Sequence, residues 1–202
     1  MKPLAIPLLS LVALAASSCG GTSSGPQATV NGTIGGQPIA SADTIAATGT
    51  TTGQFGNVAY LSEFIGNVTG ACALAQQHQN KANATGIELV IQTEGPEKQS
   101  PIGPGTYAIT NGSPAGYAVT SRLTVTAAYL SFDGQCNNTI ADTAAQAGIG
   151  TITIVAVSPS SVSGNFDLTF PNGEAVSGNF DSPVCTYNPL APQPAAPVAC
   201  QP

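Results

Sequence analysis

Tryptophan is absent from this 202-residue sequence, histidine occurs once, and only 7% of the side chains are charged. So little charge excludes a disordered polyelectrolyte and a charge-laced coiled coil. Four Lys/Arg stand against ten Asp/Glu. That balance lacks the cationic footprint that phosphate neutralisation requires, so nucleic acid is excluded as a partner. The single histidine, His78, lies among Gln76, Gln77, Gln79 and Asn80 with no Cys or carboxylate at ligand spacing. It reads as a solvated surface residue, neither a metal ligand nor a general base. There is no C-x2-C pair for zinc and no D-x-D-x-D-G calcium loop, and the one G-x-S-x-G match, Gly21 to Gly25, falls in the Gly/Ser-rich tether rather than on a strand-to-helix turn. No catalytic residue, metal or cofactor is therefore expected. With no Trp and with Tyr60, Tyr107, Tyr117, Tyr129 and Tyr187 scattered along the chain, an aromatic platform for sugars is not evident.

What is abundant is small and apolar: 42% hydrophobic residues, 23 glycines and a mean hydropathy of +0.17. One compact domain follows. At the N-terminus, Met1 and Lys2 precede an apolar run from Pro3 to Ala16, and Ser17 and Ser18 lead to Cys19. This is the pattern of a secretory signal over residues 1–18. The run is shorter than the ~20 residues a membrane-spanning helix needs, and no other stretch is longer.

Ala16-Ser17-Ser18-Cys19 resembles the lipobox of bacterial lipoproteins. The resemblance implies that Cys19 becomes the acylated first residue of the mature chain, with palmitate among its acyl groups. Ala13-Leu14-Ala15 also fits an ordinary signal-peptidase site, so the two processing routes stay open. Gly20 after the cysteine implies, by the same resemblance, transport to an outer membrane. The anchor would hold the protein at a membrane surface, since each buried methylene contributes about 0.8 kcal/mol.

Residues 19–27 then form a flexible tether whose GGTSSGPQ portion spans about 15 to 17 Å. Loss of Lys2 with the signal leaves three basic groups against ten acidic ones. Residues 188–202 carry Pro189, Pro192, Pro194, Pro197 and Pro202, which disfavour a central strand.

Between them, residues 28–187 alternate short β-prone runs with Gly, Pro and Asn, as an all-β antiparallel sandwich or flattened barrel does. Expected strands are 28–34, 38–46, 58–61, 86–93, 105–110, 118–132, 150–158, 161–170 and 174–180. Ile87, Leu89 and Ile91 alternate with Glu88, Val90 and Gln92, and Leu123, Val125 and Tyr129 with Arg122, Thr124 and Thr126. Each strand should bury one face and wet the other.

The sharpest local prediction comes from an internal repeat. VSGNFD at 162–167 recurs at 176–181 around Pro171-Asn172-Gly173. A three-residue loop pairs Leu168 with Val176, Phe166 with Gly178 and Gly164 with Phe180, gathering the apolar residues on one face; a two-residue loop would split them. Pro171 presets a type I turn and Gly173 takes the left-handed position of a G1 bulge. One short crossover helix is expected from Gly70 to about Asn83, on the spacing of Ala71, Leu74, Ala75 and His78, with Thr69 as its cap.

A carboxylate-based hydrolase needs two converging acids, for which Glu63, Glu88, Glu94, Glu97, Asp133, Asp142, Asp167, Glu174 and Asp181 are candidates. Asp167 and Asp181 are expected on the wet side of the hairpin, Asp133-Gly134 in a turn and Glu94 to Glu97 in a loop. Five N-x-S/T triplets begin at Asn31, Asn67, Asn83, Asn111 and Asn137 and read as turn chemistry. Setting Cys19 aside leaves Cys72, Cys136, Cys185 and Cys200, an even number suited to disulfides in an oxidising compartment. Three connectivities are open; Cys72–Cys136 and Cys185–Cys200 are preferred because they tie the helix to a nearby turn and the tail to the last strand.

The stretch GNFDLTFPNGEAVSGNFDSPVC resembles the ending of uncharacterised lipoproteins of Gram-negative bacteria. That resemblance covers about 25 residues and implies an exported β-rich domain with no assigned activity. The function expected is a non-enzymatic, structural or interaction role at the cell envelope. The alternatives are a ligand-binding or adhesin module recognising glycan or peptide through sandwich-end loops, and the hydrolase.

Overall fold

In the computed structural model the described residues are 28–110, 122–140, 146–190 and 199–202. Cys19, the signal and the tether lie outside them, as do Asp142, Tyr117 and the Asn111 triplet. In chain order the elements are β1 (Ala28–Ile34), β2 (Gln37–Pro38), β3 (Asp43–Gly53), β4 (Gly56–Gly66), α1 (Ala71–Gln76), β5 (Gln79–Lys81), β6 (Thr85–Gly95), β7 (Gly105–Ala108), β8 (Arg122–Ser131), β9 (Ile149–Val157), β10 (Ser161–Thr169), β11 (Ala175–Pro183) and β12 (Ala199–Gln201). The fold is an all-β sandwich. One sheet has the order β3-β4-β6-β8, the other β2-β1-β11-β10-β9-β7, and β5 and β12 form a small parallel pair.

The alternating runs build the shared core. Ile87, Leu89, Ile91 and Val125 from the first sheet meet Ile152, Ile154, Phe166, Leu168, Val176 and Phe180 from the second, all buried. Leu123, expected among them, sits at the start of β8 and remains 45% exposed. The repeat forms the predicted hairpin, with Leu168 opposite Val176, Phe166 opposite Gly178 and Gly164 opposite Phe180. Gly173 adopts φ +86°, and its N–H donates to the Phe170 carbonyl at 2.9 Å.

Both seams between the sheets are bridged by backbone bonds. On one side Cys185 N–H donates to the Ala46 carbonyl at 2.7 Å, carrying the chain after β11 onto β3. On the other, Ile109 N–H reaches Gly150 O and Thr110 N–H reaches Val125 O, each at 2.9 Å, linking β9 to β8.

Three expectations are corrected. The strand expected over 38–46 is two: β2 and the start of β3. The helix ends at Gln76 instead of running to Asn83. Beyond it the polar run Gln79–Lys81 bonds its backbone to β12, and His78 between them turns at φ +52°. Thr69 does not cap α1; Gly70 occupies that position, and Asp43 Oδ2 accepts from the Ala71 N–H at 3.0 Å.

The cysteine pairs are Cys72–Cys185 and Cys136–Cys200, each with Cα atoms 5.6 Å apart. The preferred connectivity, Cys72–Cys136 with Cys185–Cys200, is therefore wrong, because strand pairing outweighs closeness in sequence. The seam on β3 delivers Cys185 to α1, and Cys185 packs with Ile45, Val68 and Ala71 in a second small core. The turn carrying Cys136 lies against Asn83, whose N–H donates to Asp133 O at 3.0 Å, beside the β5–β12 pair that holds Cys200.

Candidate functional site

At the end of the sandwich formed by the β3–β4 hairpin is a cleft of about 400 Å³ lined by Thr50, Thr51, Thr52, Asn57, Val58, Lys98 and Gln99. β3 and β4 pair through to Gly53 and Gly56, leaving Gln54 and Phe55 as the loop. Three contacts fix the far wall. Phe55 N–H donates to Glu94 Oε1 at 2.8 Å, Asn57 Nδ2 donates to Pro96 O at 3.1 Å, and the buried Gln99 amide donates to Glu97 O at 2.8 Å. Gly56 is required where it is, at φ +130°, because a Cβ there would lie 2.2 Å from Gly95 O. The lining offers hydroxyls, two carboxamides and the exposed Lys98 ammonium, and it includes no carboxylate. That chemistry suits hydrogen-bonded recognition of a polar ligand.

A second polar centre is sealed in the core. Glu63 on β4 is fully buried. The Thr44 hydroxyl donates to its Oε1 at 2.5 Å, and Ser182, from β11 in the opposite sheet, donates to the same oxygen. The two hydroxyls are 2.6 Å apart, and Glu63 Oε2 has no partner. Burial raises this carboxyl well above the ordinary range; the Ser182 and Thr44 hydrogen bonds offset part of that, and the charge of Asp181 adds to it.

The other face of the same sheet is less wet than the alternation predicts. Glu88, Val90 and Gln92 are half-buried. The chain after Cys185 crosses this face, with the Tyr60 hydroxyl donating to Tyr187 O at 3.4 Å. Burial raises Glu88, although the Ser62 hydroxyl donates to it at 3.4 Å, and burial pushes Tyr187 up to about 12.

None of the described candidate acids lines the cleft. Glu63 pairs in register with Leu89 and Glu88 with Phe64, so adjacent strands place Glu63 and Glu88 on opposite faces of one sheet. Asp167 and Asp181 oppose Ser177 and Ser163 on the hairpin's outer side, as expected. Asp133 holds its own turn: the Asn137 side-chain amide at 3.0 Å, then the N–H groups of Asn137 at 2.9 Å and Gln135 at 2.8 Å, donate to it and lower its pKa. Glu174 accepts from Gly36 N–H at 2.9 Å and Gly35 N–H at 2.7 Å and is lowered by those bonds. Glu94 belongs to β6 rather than to the expected loop, which holds Glu97. His78 is exposed, and among the described residues no three His, Cys, Asp or Glu gather as a metal site would require.

Tyr60 and Tyr129 are buried, so they are core residues rather than a stacking surface. Asn83, at φ +57°, and Asn67, which accepts from Thr85 N–H at 2.7 Å, fit the turn reading. Asn31 does not: it lies inside β1 opposite Ser177. Sequence reasoning missed the cleft residues and the Glu63 centre. The only signal available was the threonine run at 50–52; nothing in the spacing brings Lys98 or Ser182 to their partners. No family model, curated protein or solved structure matches the chain.

Proposed function

We propose that this is a non-enzymatic cell-envelope lipoprotein. Acyl chains on Cys19 hold it at an outer membrane, and its disulfide-stapled β body has a structural or interaction role. The observation that carries the reading is the arithmetic of thiols: Cys72, Cys136, Cys185 and Cys200 pair off completely, leaving Cys19 as the one cysteine for a thioether. Bonded cysteines also suit the oxidising compartment to which a signal over 1–18 would lead. The failure of Glu63 and Glu88 to share a face weighs against a carboxylate hydrolase. Palmitate labelling of cells expressing the wild type and Cys19→Ala tests the anchor. Label confined to the wild type, with the variant released from the membrane fraction, is the expected result; equal labelling overturns it.

The second reading, a ligand-binding module, is favoured by the polar cleft at the sandwich end. It specifies the interaction role and is compatible with the anchor.

A further inference from the structure

We infer that the outer half of β3 is a strand-addition site for an extended peptide of a partner protein that carries a carboxylate. The inference rests on the interaction role proposed above and not on the anchor. Along β3 the backbone groups of successive residues point alternately toward β4 and away from it. The Ala46 carbonyl turns away, because it accepts from Cys185, and the Thr44 N–H is taken by its neighbour's Asp43 Oδ1 at 2.9 Å. The same parity sends the N–H and C=O of Thr48, Thr50 and Thr52 to the outer edge. After Cys185 the chain leaves that edge for the sheet's outer face, where Asn188 reaches only the Thr51 side chain, at 3.4 Å. Among the described residues, three pairs of backbone groups, spaced about 7 Å apart, are thus left without protein partners.

Such an edge is ordinarily blunted. β8, at the other side of this sheet, is covered by Thr110 and by the Gln146 bridge to Ala128, and β2 is only two residues long. The stretch 48–53 has no proline, no charge and no bulge. It lies at the cleft, with Thr50 and Thr52 exposed and Asn57, Lys98 and Gln99 along the wall. The geometry fits an extended peptide: main-chain bonds to Thr48, Thr50 and Thr52 supply the affinity, and the walls select side chains. Lys98 is the one charge on the lining, which fixes the carboxylate. A second copy of the chain fits less well, because each mature copy carries ten acidic groups against three basic ones and would have to bring a whole sandwich into the cleft.

The test uses the full mature chain in detergent and a fluorescein-labelled peptide of about eight residues, alternating Thr and Val with one central Asp, read by anisotropy and hydrogen exchange. Saturable binding is expected, with slowed exchange confined to Thr48–Gly53. N-methylation of the peptide's edge-facing amides should weaken binding at least about tenfold, and Lys98→Gln several-fold. Thr50→Pro should abolish it while Thr50→Ala does not. The proline costs no bond to β4, since the Thr50 N–H points outward; if that variant nevertheless fails to fold, the methylated peptide decides alone. Equal binding of the methylated peptide, or no saturable binding, overturns the inference. So does self-association in sedimentation that Thr50→Pro removes, which would assign the edge to a second copy. None of these outcomes alters palmitate labelling, so this inference and the anchor fail separately.

Discussion

Phe166 and Gly178 face each other across the β10–β11 pair so closely that a Cβ on the glycine would lie 2.7 Å from the ring's Cζ and 2.2 Å from the Thr29 carbonyl oxygen. The repeat makes the relationship reciprocal: Phe180 meets Gly164 in the same way, at 2.6 Å. Each copy of VSGNFD supplies a ring for the other copy's gap. Gly178→Ala should therefore cost about 3 kcal/mol, because a backbone oxygen cannot swing aside. Gly173→Ala, at φ +86° in open space, should cost only about 1 to 2 kcal/mol. Urea unfolding of the two variants checks the order, and equal losses would refute it.

Stability should fall as the medium becomes more alkaline. The folded chain keeps a proton on Glu63 that the unfolded chain releases above the ordinary value of 4.5. The stabilisation is thus fully present below that value and is lost as pH rises toward the raised folded one. The slope per proton is about 1.4 kcal/mol per pH unit. Glu88, also raised, acts in the same direction. Denaturation midpoints between about pH 5 and about pH 8 should decline in the wild type and decline less in Glu63→Gln. Identical slopes would show that Glu63 does not titrate in this window.

Peptide mapping without reduction should recover Cys72 joined to Cys185 and Cys136 joined to Cys200. The double variant Cys72→Ala/Cys185→Ala should lose about 2 to 5 kcal/mol. Its second core, built on Ile45, Val68 and Ala71, should loosen first in hydrogen exchange.

Asp43 splits its carboxylate between the Thr44 N–H at 2.9 Å and the Ala71 N–H at 3.0 Å, tying β3 to the start of α1. Asp43→Ala should cost about 1 kcal/mol and raise amide exchange at Ala71 while sparing the hairpin at 161–183.

Sequence periodicity went furthest where one physical demand dominates. The β10–β11 register follows from burying Phe166, Leu168, Phe170, Val176 and Phe180 together, and no distant residue is needed to decide it. The helix stops at Gln76, short of its spacing pattern, because the partner of Gln79–Lys81 lies at Ala199–Gln201, where no local pattern points to it. The disulfides failed for the same reason, since their pairing depends on which strand delivers Cys185. Glu88, Val90 and Gln92 read as a wet face because alternation alone does not show that residues 184–188 return to cover it. In the site, Thr50–Thr52 fall between the strands expected at 38–46 and 58–61 although β3 runs through them, and Glu63 differs in no way from the other acids until Ser182 comes over from the opposite sheet.

The first strand finds its long partner only in the eleventh: Ala28 lies opposite Phe180 and Thr29 opposite Asn179. A chain emerging N-terminus first would hold β1 without that neighbour until some 150 residues more had followed, so the sheet that contains β1 closes only after β11 has been made. For the export route proposed above that delay would be useful, because a body that closes late remains threadable through a translocation channel.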